Sequence, residues 1–117
     1  MSRDWVLYLE DIAESASRIR RYTKGLDFDS FAQNDLTVDA VVRNLEIIGE
    51  AAKKLPDAAK AAMPDIEWSK AAGLRDIVAH HYFGLDLEIV WDAVTAQVPE
   101  IAAASERLLR RLGGEPE

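Results

Sequence analysis

A chain of 117 residues, about half of them apolar, is long enough to bury one real core and too short to divide comfortably into two domains. With no cysteine and only the two histidines His80 and His81, it cannot rest on disulfides or on a structural zinc site. Twenty-one acidic residues against fourteen basic ones leave a net charge of −7, which repels a polyanion at long range, so any contact with nucleic acid must be local.

The start, Met1-Ser2-Arg3-Asp4-Trp5-Val6, lacks the basic opening and apolar run of a secretion signal. No later window approaches the length of uncharged chain that a membrane span needs, so no membrane association and a cytoplasmic location are expected. Val6, Leu9, Ile12, Ala13, Ala16 and Ile19 recur at three- and four-residue steps and predict an amphipathic helix over 4–24, with Gly25 placed to end it. Arg18, Arg20, Arg21 and Lys24 crowd its last turns. Such a group suits the negative end of a helix dipole and a solvated face, and an RNA-docking patch is the weaker of the two readings.

A turn of helix is expected over 29–33, followed by a second long helix running to Leu55 and capped by Asp35 or Thr37. Val41, Leu45, Ile48, Ala52 and Leu55 form its apolar stripe, within which Gly49 predicts close approach of a neighbouring helix; Pro56 closes it. The stretch 57–63 is rich in Ala and Lys and reads as a brief helix ended by Pro64. A third main helix is predicted over 68–81, with Gly84 as its stop and Asp86 as the cap of a fourth beginning at Leu87. Pro99 interrupts an apolar pattern that continues through Ile101, Leu108 and Leu112, so the fourth helix should kink or restart there. The expected architecture is all-α: one domain over 1–112, a bundle of four main helices with short helical segments, and a frayed tail at 113–117. Trp5, Trp68 and Trp91 lie in or beside apolar stripes and read as core anchors rather than base-stacking platforms. Arg107, Arg110 and Arg111 fit the end of a helix.

Chemistry concentrates in one stretch. On a helical wheel Leu74, Ile77, Val78 and His81 share the apolar side of the third helix, while Arg75, Asp76, Ala79, His80 and Tyr82 share the other. That second set brings together a permanent cation, a carboxylate, a group titrating near neutrality and a phenol. Asp76 and His80 are four residues apart, so the carboxylate can fix the imidazole tautomer and favour its protonated form. Phosphoryl chemistry needs a proton carrier and a cation aimed at developing charge, and His80 with Arg75 supplies both types. On residue types alone an ordinary reading stays open: Arg75 and Asp76 pair with neighbouring helices, His80 is a helix-end cation and Tyr82 covers the core edge.

The residues Gly73-Leu74-Arg75-Asp76-Ile77-Val78-Ala79-His80-His81-Tyr82-Phe83-Gly84 resemble the signature of the HepT-like family of HEPN-superfamily ribonuclease toxins: Arg, four residues, His, one residue, Tyr. The stretches Tyr8 to Ile12, Arg43 to Ala52 and Asp86 to Trp91 resemble the same family in the same order, so the likeness spans nearly the whole chain. It implies a HEPN-like bundle that homodimerises, bringing two copies of the motif into one cleft, and metal-independent RNA cleavage without a cofactor. Arg75 and His80 match the family's catalytic pair, with Asp76 in a supporting place where such sequences commonly carry Asn. Tyr82 matches the tyrosine to which a partner nucleotidyltransferase antitoxin, of the MntA type, adds AMP to silence the toxin. The rival function is a non-catalytic helical adaptor that dimerises and positions a nucleotidyltransferase, with Arg75, His80 and Tyr82 serving the interface.

Overall fold

The computed structural model describes residues 4–81 and 86–113, with the backbone but not the side chains of 78–81. All the regular secondary structure among the described residues is helical, and no strand occurs among them. Three long helices organise the bundle: α1 (Asp4–Thr23), α3 (Asp35–Lys54) and α8 (Val98–Leu112). Around them lie the shorter α2 (Phe28–Ala32), α4 (Asp57–Ala61), α5 (Trp68–Ala72), α6 (Leu74–His81) and α7 (Leu87–Asp92). A π-helical segment, Ala93–Gln97, joins α7 to α8. None of these helices is long and apolar enough to cross a membrane.

The first helix follows its apolar periodicity. Leu9, Ile12, Ala16 and Ile19 are buried, and Gly25 ends the segment with a φ of 79°, a left-handed conformation that glycine adopts without a Cβ penalty. Helix α1 packs along both α3 and α8, while α3 also receives α5 and α6, so α3 is the hub of the bundle. All five residues of its expected stripe, Val41, Leu45, Ile48, Ala52 and Leu55, are buried. Its cap is Asn34 rather than Asp35 or Thr37: the Asn34 side chain accepts the Thr37 backbone N–H at 3.0 Å, which leaves both expected residues inside the first turn. Asparagine one residue upstream offers a short acceptor at the right reach, so the helix begins there.

Of the four expected main helices, the third is divided and the fourth is locally distorted. The segment 68–81 divides at Gly73, whose ψ of −10° departs from the helical value, and the Asp76 N–H bonds the Gly73 carbonyl at 2.9 Å across a three-residue turn. Farther on, Pro99 has no N–H to give and its ring would crowd the carbonyl four residues back. The chain answers with a widened π turn rather than a restart, in which the Val98 N–H reaches the Ala93 carbonyl. The buried stripe survives the change, continuing through Val90, Val94, Val98, Ile101, Ser105 and Leu108. Asp86 caps α7 as expected, accepting the Glu88 N–H at 2.8 Å. The expected stop at Gly84 and the tail beyond Gly113 lie outside the described residues.

The tryptophans take structural places. Trp91 packs against fully buried Phe31 with ring centroids 4.9 Å apart, Trp68 donates its indole N–H to the Met63 carbonyl at 3.3 Å, and Trp5 lies against the core. Of the basic clusters, Arg18 pairs with Glu14 at 3.0 Å on the surface of α1, and Arg20, Arg21, Arg110 and Arg111 are exposed in last turns, where cations complement the helix dipole.

Candidate active site

The site begins with a missing side chain. On α3 the sequence Ile48-Gly49-Glu50-Ala51-Ala52 keeps bulk low on the side that meets the junction of α5 and α6. A Cβ on Gly49 would stand 2.8 Å from the Arg75 backbone nitrogen, 3.1 Å from the Arg75 Cβ and 3.2 Å from the Ala72 carbonyl oxygen. The first turn of α6 therefore rests directly on the α3 backbone, as the glycine inside the stripe leads one to expect. Leu74 is fully buried and Ile77 packs against the core, so the apolar side of α6 is pinned. That fixes Arg75 and Asp76 on the outer side, where both are exposed.

Arg75 Nε lies 2.9 Å from Glu50 Oε1, with the arginine side chain 51% exposed and the glutamate 42%. The two residues flank the Gly49 contact, one on each helix, so the close approach of the backbones brings the charges together. A half-exposed pair of this kind is worth about 0–1 kcal/mol, too little to hold the fold but enough to bias where a guanidinium points. Glu50 is the residue that local spacing could not assign. It lies inside the stretch Arg43 to Ala52, but it is 25 positions from Arg75 (75 − 50), beyond any rule of helical periodicity. The readable signal was Gly49 beside it.

The backbone of α6 carries His80 one turn after Asp76 and five residues after Arg75, about 7.5 Å along the axis. The side chains of His80 and His81, and the whole of Tyr82, lie outside the described residues. Next to the Arg75–Glu50 pair a groove runs between α1 and α3, lined by Tyr8, Asp11, Arg43, Glu46, Glu50 and Lys54. Lys54 Nζ sits 5.2 Å from the centre of the Tyr8 ring, a distance at which a cation is attracted to the ring face. Among the described residues no three His, Asp or Glu side chains gather in a way that could hold a metal ion.

The all-α bundle, with Arg75 at the start of a helix seated on the central helix and His80 five residues on in the same helix, is the arrangement that the resemblance to HEPN proteins leads one to expect. The model of the HepT-like ribonuclease family matches residues 12–108, and the chain belongs to that family. It is similar to a protein of Thermococcus cleftensis named probable ribonuclease HepT, 40% identical over 108 residues that cover 92% of this chain and 98% of the relative. A Methanocaldococcus jannaschii protein provisionally named an RNase, MJ0127, is 39% identical over 98% of this chain and 95% of its own length. A bacterial relative from Caldanaerobacter subterraneus, also provisionally named an RNase, is 34% identical over 89% of this chain and 93% of its own. No solved structure gives a significant match.

Proposed function

We propose that this ribonuclease of the HEPN type is a metal-independent endoribonuclease, the toxin of a toxin–antitoxin pair, acting in the cytoplasm as a homodimer whose composite cleft contains two copies of the segment from Arg75 to Tyr82. The observation that carries the reading is the placement of Arg75: its backbone is seated against Gly49, while its guanidinium remains half-exposed on the outer side of α6. A core arginine or one committed to a buried ion pair could not meet an RNA phosphate; this one can.

In the proposed reaction the ribose 2′-hydroxyl attacks the adjacent phosphorus. His80 of one protomer takes the hydroxyl proton as the O–P bond forms. The bond from phosphorus to the 5′ oxygen breaks, and that oxygen receives a proton from the partner subunit's His80. Arg75 stabilises the negative charge that builds on the phosphoryl oxygens, in an environment where pre-placed donors need not reorganise. Products are a 2′,3′-cyclic phosphate and a 5′-hydroxyl. Tyr82 supplies the control: AMP added to its hydroxyl by an MntA-type nucleotidyltransferase places bulk and negative charge near the cleft and repels RNA by like charge.

Incubation of the unmodified protein with total cellular RNA in chelator tests the reading, with His80→Ala alongside and the end groups identified. Cleavage that survives chelation, vanishes in the variant and leaves cyclic phosphate is the expected result. Products ending in a 3′-hydroxyl sink the mechanism, and no cleavage from protein free of AMP moves the assignment to a non-catalytic adaptor. The same assay on protein co-expressed with its nucleotidyltransferase should show silencing of the wild type but not of Tyr82→Phe; equal silencing removes Tyr82 from the account.

A further inference from the structure

The geometry points to Glu50 as the positioning residue of Arg75, a role that rests on the ribonuclease reading above. Two neighbouring residues of α3 hold the arginine at its two ends. Gly49 admits the Arg75 backbone and Cβ, fixing the base of the side chain. Glu50, one residue on, meets the side chain at Nε, 2.9 Å away, fixing its far half. Two methylenes, Cγ and Cδ, separate these anchors, and without the second of them the guanidinium of an exposed arginine samples many rotamers.

The contact is made at Nε. The arginine side chain is about half-exposed beyond it, so a phosphate can approach the guanidinium from the solvent side. Both partners are about half-exposed, so the pair is screened and easily outcompeted at the fork by a phosphate. It is too weak to act as a lock that keeps Arg75 from RNA, but strong enough to narrow the directions Arg75 takes before RNA arrives. The carboxylate also places a negative charge at the edge of the cleft, which opposes RNA binding. Glu50 thus works against ground-state binding and in favour of the transition state, where a cation must already be in place.

The test uses the full chain with Glu50→Ala, which removes the carboxylate, and Glu50→Gln, which restores an acceptor oxygen at the same reach. In chelator with an RNA substrate, kcat should fall by about two- to fivefold in Glu50→Ala, the size set by a half-exposed pair. KM should stay level or fall, because a repelling charge has gone, and Glu50→Gln should recover part of kcat. A second readout needs no RNA. The Nε–H resonance of Arg75 in nitrogen-15-labelled protein, identified by its loss in Arg75→Lys, should move into the envelope of the exposed arginines in Glu50→Ala.

An unchanged or increased kcat in Glu50→Ala overturns the inference, whatever the resonance does, and so does a rise in KM with kcat level, which marks a binding contact. If the wild type cuts no RNA, it is the ribonuclease reading that fails, and the resonance alone decides whether Glu50 holds Arg75: a shift supports the hold and no shift overturns it.

Discussion

At position 49, inside a long helix, alanine would ordinarily be the better residue by about 1 kcal/mol. Here a Cβ has nowhere to go: the atoms nearest to it are the Arg75 nitrogen at 2.8 Å and the Ala72 carbonyl at 3.2 Å, both backbone, which cannot swing aside as a side chain tip can. Gly49→Ala should therefore push the start of α6 off α3 and destabilise the protein by about 1–3 kcal/mol despite the gain in helix propensity. Urea unfolding measures it as a lower midpoint at unchanged slope. The control is Gly113→Ala. Gly113 has a φ of −79°, and an added Cβ there meets nothing closer than 3.5 Å, so its midpoint should hardly move. Loss of RNA cleavage in Gly49→Ala should exceed its loss of stability, since a displacement of about 1 Å at a reacting centre can cost about a hundredfold in rate. Equal stability of the two alanine variants would remove the close approach as the reason for this glycine. The need for a glycine was readable from the stripe around it. Its partner was not, because nothing in the spacing of α3 says which later segment will lie across it.

Elements were legible where one physical signal dominated and less so where two competed. The long helices α1 and α3 follow uninterrupted apolar periodicity, and their lengths came within a residue or two of expectation. The segment 68–81 has the same periodicity, but Gly73 interrupts it, and the pattern of buried positions cannot distinguish one helix from two in near register. At Pro99 the sequence announces a disturbance without saying whether the helix will end, bend or widen; the buried faces on either side decide, and both are kept in contact with the core by the π turn. The start of α2 was missed by one residue because its signal is a side-chain capping box. Asp27 accepts the Ser30 N–H at 2.8 Å and the Ser30 hydroxyl at 2.7 Å, while the Asp27 N–H donates to that hydroxyl at 3.0 Å. The Ser30 hydroxyl, and after it the Ser30 N–H, stabilise the charged carboxylate and lower its pKa below the ordinary aspartate value of 3.8. A depressed carboxylate contributes stability that is fully present above the unfolded pKa and is lost as the pH falls through the lower, folded value. Asp27→Ala should thus melt below the wild type at neutral pH, and the gap between their melting temperatures should shrink as the pH falls well below 3.8. A gap that persists at the lowest pH would show that the box works through its geometry rather than through the charge on Asp27.

For the molecule as a whole, the question is how a chain of net charge −7 engages a polyanion at all. Many of the exposed cations outside the site lie toward helix C-termini: Arg18 beside Glu14, Arg20 and Arg21 in the last turns of α1, and Arg107, Arg110 and Arg111 in the last turns of α8. The groove next to Arg75 carries Asp11, Glu46 and Glu50 together with Arg43 and Lys54, so its charge is mixed. The family resemblance, read from several stretches in order along the chain, pointed to RNA where composition pointed away from it. The two agree if contact is confined to the cleft. Each phosphate neutralised on a single strand contributes about −0.7 to the slope of log affinity against log salt, so the proposed homodimer, with one Arg75 from each protomer, predicts a slope of about −1.4. Long-range repulsion, relieved by added salt, should make the observed slope shallower still. The measurement is binding of single-stranded RNA by His80→Ala, which should bind without cutting, in a salt titration from about 50 to about 200 mM; affinity should fall by no more than about sevenfold. A slope of −5 or steeper would mean that the arginines at the ends of α1 and α8 join in a wide basic interface, and the view of a local cleft set in an acidic surface would have to be given up.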